Sequence, residues 1–173
     1  MARIAAAFTV VAALASSVLA APSLGKRDHH ITITNRCQSR SVTPVYHDVG
    51  GTSYNMQTLN PNESTETSVG ESQLAWRIWG EDGKGCGWPD GGGCLLLECS
   101  FDNADFRQCN LSRVDGFNMG IEFGFDDPGC SGNQCLHGDC GGDQAFSDPT
   151  NGGPSLRQCN TPNVGMTVVF SCD

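Results

Sequence analysis

The chain has 173 residues, ten of them basic and nineteen acidic, for a formal charge of -9 at pH 7. So acidic a chain is repelled by nucleic-acid phosphates and anionic lipid headgroups, which excludes those partners and leaves neutral carbohydrate, cationic ligands and protein surfaces open. Ten cysteines, an even number, point to five disulfides and to an oxidising compartment.

Met1–Ala20 sets Arg3 ahead of a run of small and apolar residues and closes on Val18-Leu19-Ala20, as a secretory signal peptide does. Its apolar run is too short, and too interrupted by Ser16 and Ser17, for a membrane anchor, so no membrane insertion is expected. Residues 21–27 read as a short propeptide in which Lys26-Arg27 forms a dibasic cleavage site; a chance pair in a linker is the alternative. Cleavage there would leave residues 28–173, one domain by length, with seven basic and nineteen acidic residues and a formal charge of -12. Such a chain is soluble and is expected to act as a monomer.

In the expected mature part, Ile31, Ile33, Asn35 and Cys37 alternate with His30, Thr32, Thr34 and Arg36, which predicts a strand with one buried face. Ser41–Tyr46 is a second short strand, and Asp48-Val49-Gly50-Gly51 begins a turn. Asn62 opens an N-x-S sequon in the loop Asn60-Pro61-Asn62-Glu63-Ser64 and is the expected glycosylation site; Asn110 opens another, beside Cys109 at the start of a strand, and is expected to stay bare. Gln73–Trp79 predicts a strand with Leu74, Trp76 and Ile78 on one face and Ala75, Arg77 and Trp79 on the other. An arginine between tryptophans is either a ligand contact or half of a structural ion pair.

Glu81–Cys99 holds Gly83, Gly85, Gly87 and Gly91–Gly93 with three cysteines; no helix follows to cradle a phosphate, so it reads as a braced loop. Asn110–Phe125 reads as a central strand, with Phe117, Met119, Ile121, Phe123 and Phe125 in phase. The same phase leads back to Asp115 and Arg113, charges that must open onto a cleft or water. Phe125–Cys159 is a second irregular lobe. Its Cys130, Cys135, His137, Asp139 and Cys140 lack the paired spacing of zinc sites, so no metal and no cofactor is expected. At the end, Met166, Val168, Phe170 and Cys172 share a phase. If both termini lie in one sheet region, Cys37 and Cys172 face inward together, and closing so long a loop stabilises the fold by roughly 4–5 kcal/mol. The predicted class is all-β, an antiparallel sandwich with disulfide-braced loops.

Five segments occur in an order that resembles the thaumatin-like family, in its short ten-cysteine form: ITITNRC, RIWG, LSRVDGFNMGIEF, CGGDQAF and VVFSC. The dibasic leader resembles those of fungal secreted proteins. The resemblance implies a thaumatin-like domain over 28–173, with bridges Cys37–Cys172, Cys86–Cys94, Cys99–Cys109, Cys130–Cys159 and Cys135–Cys140. It also implies an acidic cleft built from Arg77, Asp105, Asn110, Asp115 and Asp143. Asp105 stands in Ala104-Asp105-Phe106 where the family has a glutamate, and Asn110 where it has an aspartate.

The family resemblance implies a secreted, extracellular or wall-associated protein that binds β-1,3-glucan or another cell-wall polysaccharide, in an antifungal or wall-associated role, with Trp79, Trp88 and Phe117 as candidate stacking residues. Weak endo-β-1,3-glucanase activity is one alternative. It needs two carboxyls about 5–5.5 Å apart for retention or roughly 6.5–9.5 Å apart for inversion. The other alternative is an extracellular protein partner, as for an adhesin or effector, held by the acidic surface.

Overall fold

The computed structural model describes residues 28–83, 86–87, 89–102 and 106–172. The leader with Lys26 and Arg27, and the positions of Trp88 and Asp105, lie outside the described residues. Among the described residues eleven strands form two sheets: β1 (Asp28–Asn35), β2 (Thr43–His47), β3 (Ser53–Asn55), β4 (Ser64–Gly70), β5 (Trp76–Glu81), β6 (Leu96–Asp102), β7 (Phe106–Ser112), β8 (Gly120–Phe125), β9 (Asn133–Cys135), β10 (Arg157–Cys159) and β11 (Met166–Ser171). A 3-10 turn spans Gly153–Ser155. The sheet orders are β4-β1-β11-β8-β9 and β10-β7-β6-β5-β2-β3. Pairing is antiparallel except between β1 and β11, where the two chain ends run side by side with Ile31 opposite Met166 and Asn35 opposite Phe170.

Alternation decides which face of each strand enters the core. Ile31 and Ile33 from β1, Ile121 and Phe123 from β8, and Val168 and Phe170 from β11 meet Trp76, Ile78, Leu97, Phe101 and Leu111 from the other sheet in one apolar cluster. Asn35 is buried in phase with them and fully satisfied: its Nδ2 donates to the Arg40 and Leu59 carbonyls at 2.9 Å each, and its Oδ1 accepts from the Cys37 N–H at 2.9 Å. Five disulfides are formed, Cys37–Cys172, Cys86–Cys94, Cys99–Cys109, Cys130–Cys159 and Cys135–Cys140.

Three sequence expectations change. The run Asn110–Phe125 is two strands, not one: β7 ends at Ser112 in one sheet, β8 starts at Gly120 in the other, and residues 113–119 carry the chain across. Alternation survives the break, with Met119, Ile121 and Phe123 buried, which is why the pattern looked continuous. The strand expected from Gln73 starts at Trp76, because Ala75 adopts a left-handed φ of 48°, and Leu74 is left 44% exposed. Finally, the glycine-rich segment gives way at Leu96 to β6, a full core strand.

Candidate functional site

The outer face of the six-stranded sheet is divided in two. On one half, Val45, Trp79, Leu96 and Cys94 form a small second core beneath the glycine-rich loop, which the Cys86–Cys94 bridge closes. On the other half the same strands turn polar. Cross-strand register sets Arg77 opposite Glu98 and Glu98 opposite Asn110, so one row of side chains crosses β5, β6 and β7 on a single face. These three, with Ser100, Gln108 and the rim residue Leu156, line a cavity of about 240 Å³.

Each part is held by local chemistry. The irregular entry to β5 is pinned where the Ala75 N–H donates to Ser100 Oγ at 3.0 Å. Arg77 Nε lies 3.1 Å from Glu98 Oε1. Asn110 sits beneath the loop that carries Gly152 and Leu156: a Cβ at Gly152 would be 3.3 Å from its Nδ2. Asp115 belongs to the crossing segment, which docks on the glycine-rich loop through the Gly93 N–H donating to the Asp115 carbonyl at 3.1 Å. Only glycine fits beside it, since Gly116 has φ 148° and a Cβ there would stand 2.7 Å from the Gly93 carbonyl oxygen.

Burial pushes the Glu98 carboxyl above the usual carboxylate range; the Arg77 guanidinium pulls it back, and the Asp115 carboxylate adds to the upward push. Glu98 therefore feels both neighbours. Arg77, Asn110 and the field of Asp115 come together around a residue that sequence reasoning passed over. Its signal lay in Leu95-Leu96-Leu97-Glu98-Cys99, a lone charge inside an apolar run, which marks either a buried partner or a site.

The other expected site residues fall elsewhere. Asp143 is exposed on the loop lobe and outside the cavity lining; its backbone carbonyl accepts from Asn133 Nδ2 at 3.0 Å and from Arg157 at 3.1 Å. Trp79 is fully buried under the glycine-rich loop, and Phe117 packs partly buried against the main core. Among the described residues the lining carries one cation, Arg77, and one carboxyl, Glu98, with Asp115 adding acidic charge near it. Among the described residues, Asp127, Cys130 and Cys159 have metal-ligand proximity, but the two sulfurs are bonded to each other and offer no thiolate.

No family model matches the chain. An osmotin-like protein of Nicotiana tabacum is 36% identical over a 94-residue alignment that takes in 38% of this chain and 37% of that protein. The chain thus spans little more than a third of that curated relative. Among solved structures, a thaumatin-like xylanase inhibitor, TLXI, superposes with a TM-score of 0.59 at 19% identity, covering 81% of this chain and 97% of the other. The protein elicitor MoHrip2 from Magnaporthe oryzae gives a TM-score of 0.60 at 16% identity, covering 82% and 98%.

Proposed function

We propose that the chain, which has the fold of thaumatin-like proteins, is a member of that family, is secreted, and binds a neutral cell-wall polysaccharide of the β-1,3-glucan type on the outer face of its six-stranded sheet. The observation that carries this reading is the row Arg77–Glu98–Asn110 over an open cavity. Guanidinium, carboxyl and amide groups, with Gln108 beside them, offer donors and acceptors in alternation, which suits vicinal hydroxyls. Asp115 stands at the rim and Asp143 is a more distant candidate contact.

Pull-down on insoluble β-1,3-glucan at low and high salt tests it, with Asp115→Ala alongside. Retention at both salt levels, weakened in the variant, is the expected result. Failure of the protein to sediment at either salt level removes the glucan reading. A second reading has a specific support, since one structural neighbour is an inhibitor of xylanase: a protein partner, held by acidic charge. Binding to such a partner would fall steeply as salt rises, whereas glucan binding would hardly change. Reducing sugar is assayed in the same tubes. Glu98 with its raised pKa has the character of a general acid, and hydrolysis needs a second carboxyl across the bond; among the described residues of the cavity lining, Glu98 is the one carboxyl.

Secretion exposes the sequons to glycosylation. Asn62 is exposed at the tip of a turn, with φ 67° and its N–H donating to the Asn35 carbonyl at 2.7 Å, so its side chain projects to solvent. Asn110 is half-buried in the middle of β7. Secreted protein is expected to lose one glycan's mass on Asn62→Gln and none on Asn110→Gln; a shift with the second variant would reverse the assignment.

A further inference from the structure

The polar row does not stop at Arg77. In the next strand the residue opposite Arg77 is His47, so the line on the outer face runs His47–Arg77–Glu98–Asn110 across four adjacent strands. With strands about 4.8 Å apart, three gaps give a track roughly 14 Å long, beyond the cavity that the last three residues line.

His47 is held with more care than a surface histidine needs. Its Nδ1 lies 2.7 Å from Ser53 Oγ on β3, and Ser53 Oγ in turn bonds the Pro89 carbonyl on the glycine-rich loop. A carbonyl can only accept, so the single Ser53 hydroxyl proton goes to Pro89, and Ser53 must accept from His47. The hydrogen therefore sits on Nδ1, and in the neutral ring Nε2 is left as an acceptor. The imidazole also rests near the Trp79 ring, with centroids 6.1 Å apart. Three elements, β3, the glycine-rich loop and β5, thus fix one tautomer and one orientation.

We propose that His47 is a positioning residue at the far end of the binding track, accepting a hydroxyl hydrogen through Nε2, and that the ligand is a linear polyhydroxy chain lying across the strands rather than a single sugar in the cavity. This rests on the polysaccharide reading of the same face. The chemistry along the track is acceptor at His47, donors at Arg77, acceptor at Glu98 and both at Asn110, which matches repeated hydroxyls and does not match a run of like charges.

The test is calorimetric titration with β-1,3-linked gluco-oligosaccharides of increasing length, from disaccharide to hexasaccharide, against the parent, His47→Ala and Ser53→Ala. Parent affinity is expected to rise with length until the chain spans the track. His47→Ala is expected to weaken the hexasaccharide about three- to tenfold and to leave the disaccharide unchanged. Ser53→Ala keeps the ring but frees its orientation, and is expected to lose part of the same increment. Thermal melts confirm that both variants fold. An unaltered hexasaccharide affinity in His47→Ala, or equal losses at both lengths, overturns the proposal while leaving the glucan site in place. A parent that binds no oligosaccharide overturns the glucan reading and this extension with it.

Discussion

Glu71→Ala is expected to destabilise the protein by about 3–5 kcal/mol, more than any substitution in the cleft, because it takes the carboxylate away from the buried Arg107 guanidinium and from the buried His29 ring. Glu71 follows β4 and accepts from two fully buried side chains: Arg107 from β7 on one carboxylate oxygen and His29 from β1 on the other. His29 Nδ1 also lies 2.8 Å from the Val164 carbonyl, and its ring meets Phe101 edge-on at 4.5 Å. Arg107 donates further to the Asn160 carbonyl at 3.2 Å. One carboxylate thus joins both sheets and the loop ahead of β11 at the edge of the core.

The same cluster fixes a pH dependence. Burial pushes the Glu71 carboxyl up, but the hydrogen bonds and charges of His29 and Arg107 outweigh it, and the net pKa lies below the ordinary 4.5. A carboxyl depressed on folding contributes stability that is present above its unfolded value and lost as pH falls through its folded one. Urea midpoints should therefore drop as pH passes below 4.5 in the parent, with part of that acid limb missing in Glu71→Ala. A variant within about 1 kcal/mol of the parent at neutral pH would remove the cluster from the stability account.

The cluster also marks the limit of what the sequence disclosed. The phase of β1 and β11 was legible in ITITNRC and MTVVFSC, and with it the staple Cys37–Cys172, since period two survives any loop in between. His29 stands in that same phase, yet no periodicity says that a carboxylate 42 residues away will meet it. Glu98 was hidden for a related reason. Its role comes from register, Arg77 on one side and Asn110 on the other, and register between non-consecutive stretches is set by tertiary packing. Sequence motifs named Arg77, Asn110 and Asp115 through resemblance, but the resemblance attached the cleft's glutamate position to Asp105, outside the described residues, and left Glu98 unread. Arg113–Met119 misled in the opposite way: alternation carried through a crossing between sheets because both flanks bury the same phase.

Arg77→Ala is expected to cost at least about tenfold in glucan affinity, because it removes the guanidinium donors from the track and leaves Glu98 without its cation. The two consequences separate experimentally. Without Arg77, burial and Asp115 act on Glu98 unopposed, and its pKa should climb further above the ordinary 4.5, readable in the carboxyl chemical shift on titration. The sign is opposite to that of Glu71. A carboxyl raised on folding holds a proton that the unfolded chain has lost, so its contribution to stability declines as pH rises from 4.5 through the folded value. Arg77→Ala should widen that interval upward, whereas Glu98→Gln should abolish it. Arg77→Lys keeps a charge but supplies no Nε–H beside Oε1, so binding is expected to return only in part. If Arg77→Ala shifts the Glu98 titration yet binds glucan as the parent does, Arg77 serves Glu98 alone and the track must be drawn without it; if neither changes, the row is a surface ion pair with no part in recognition.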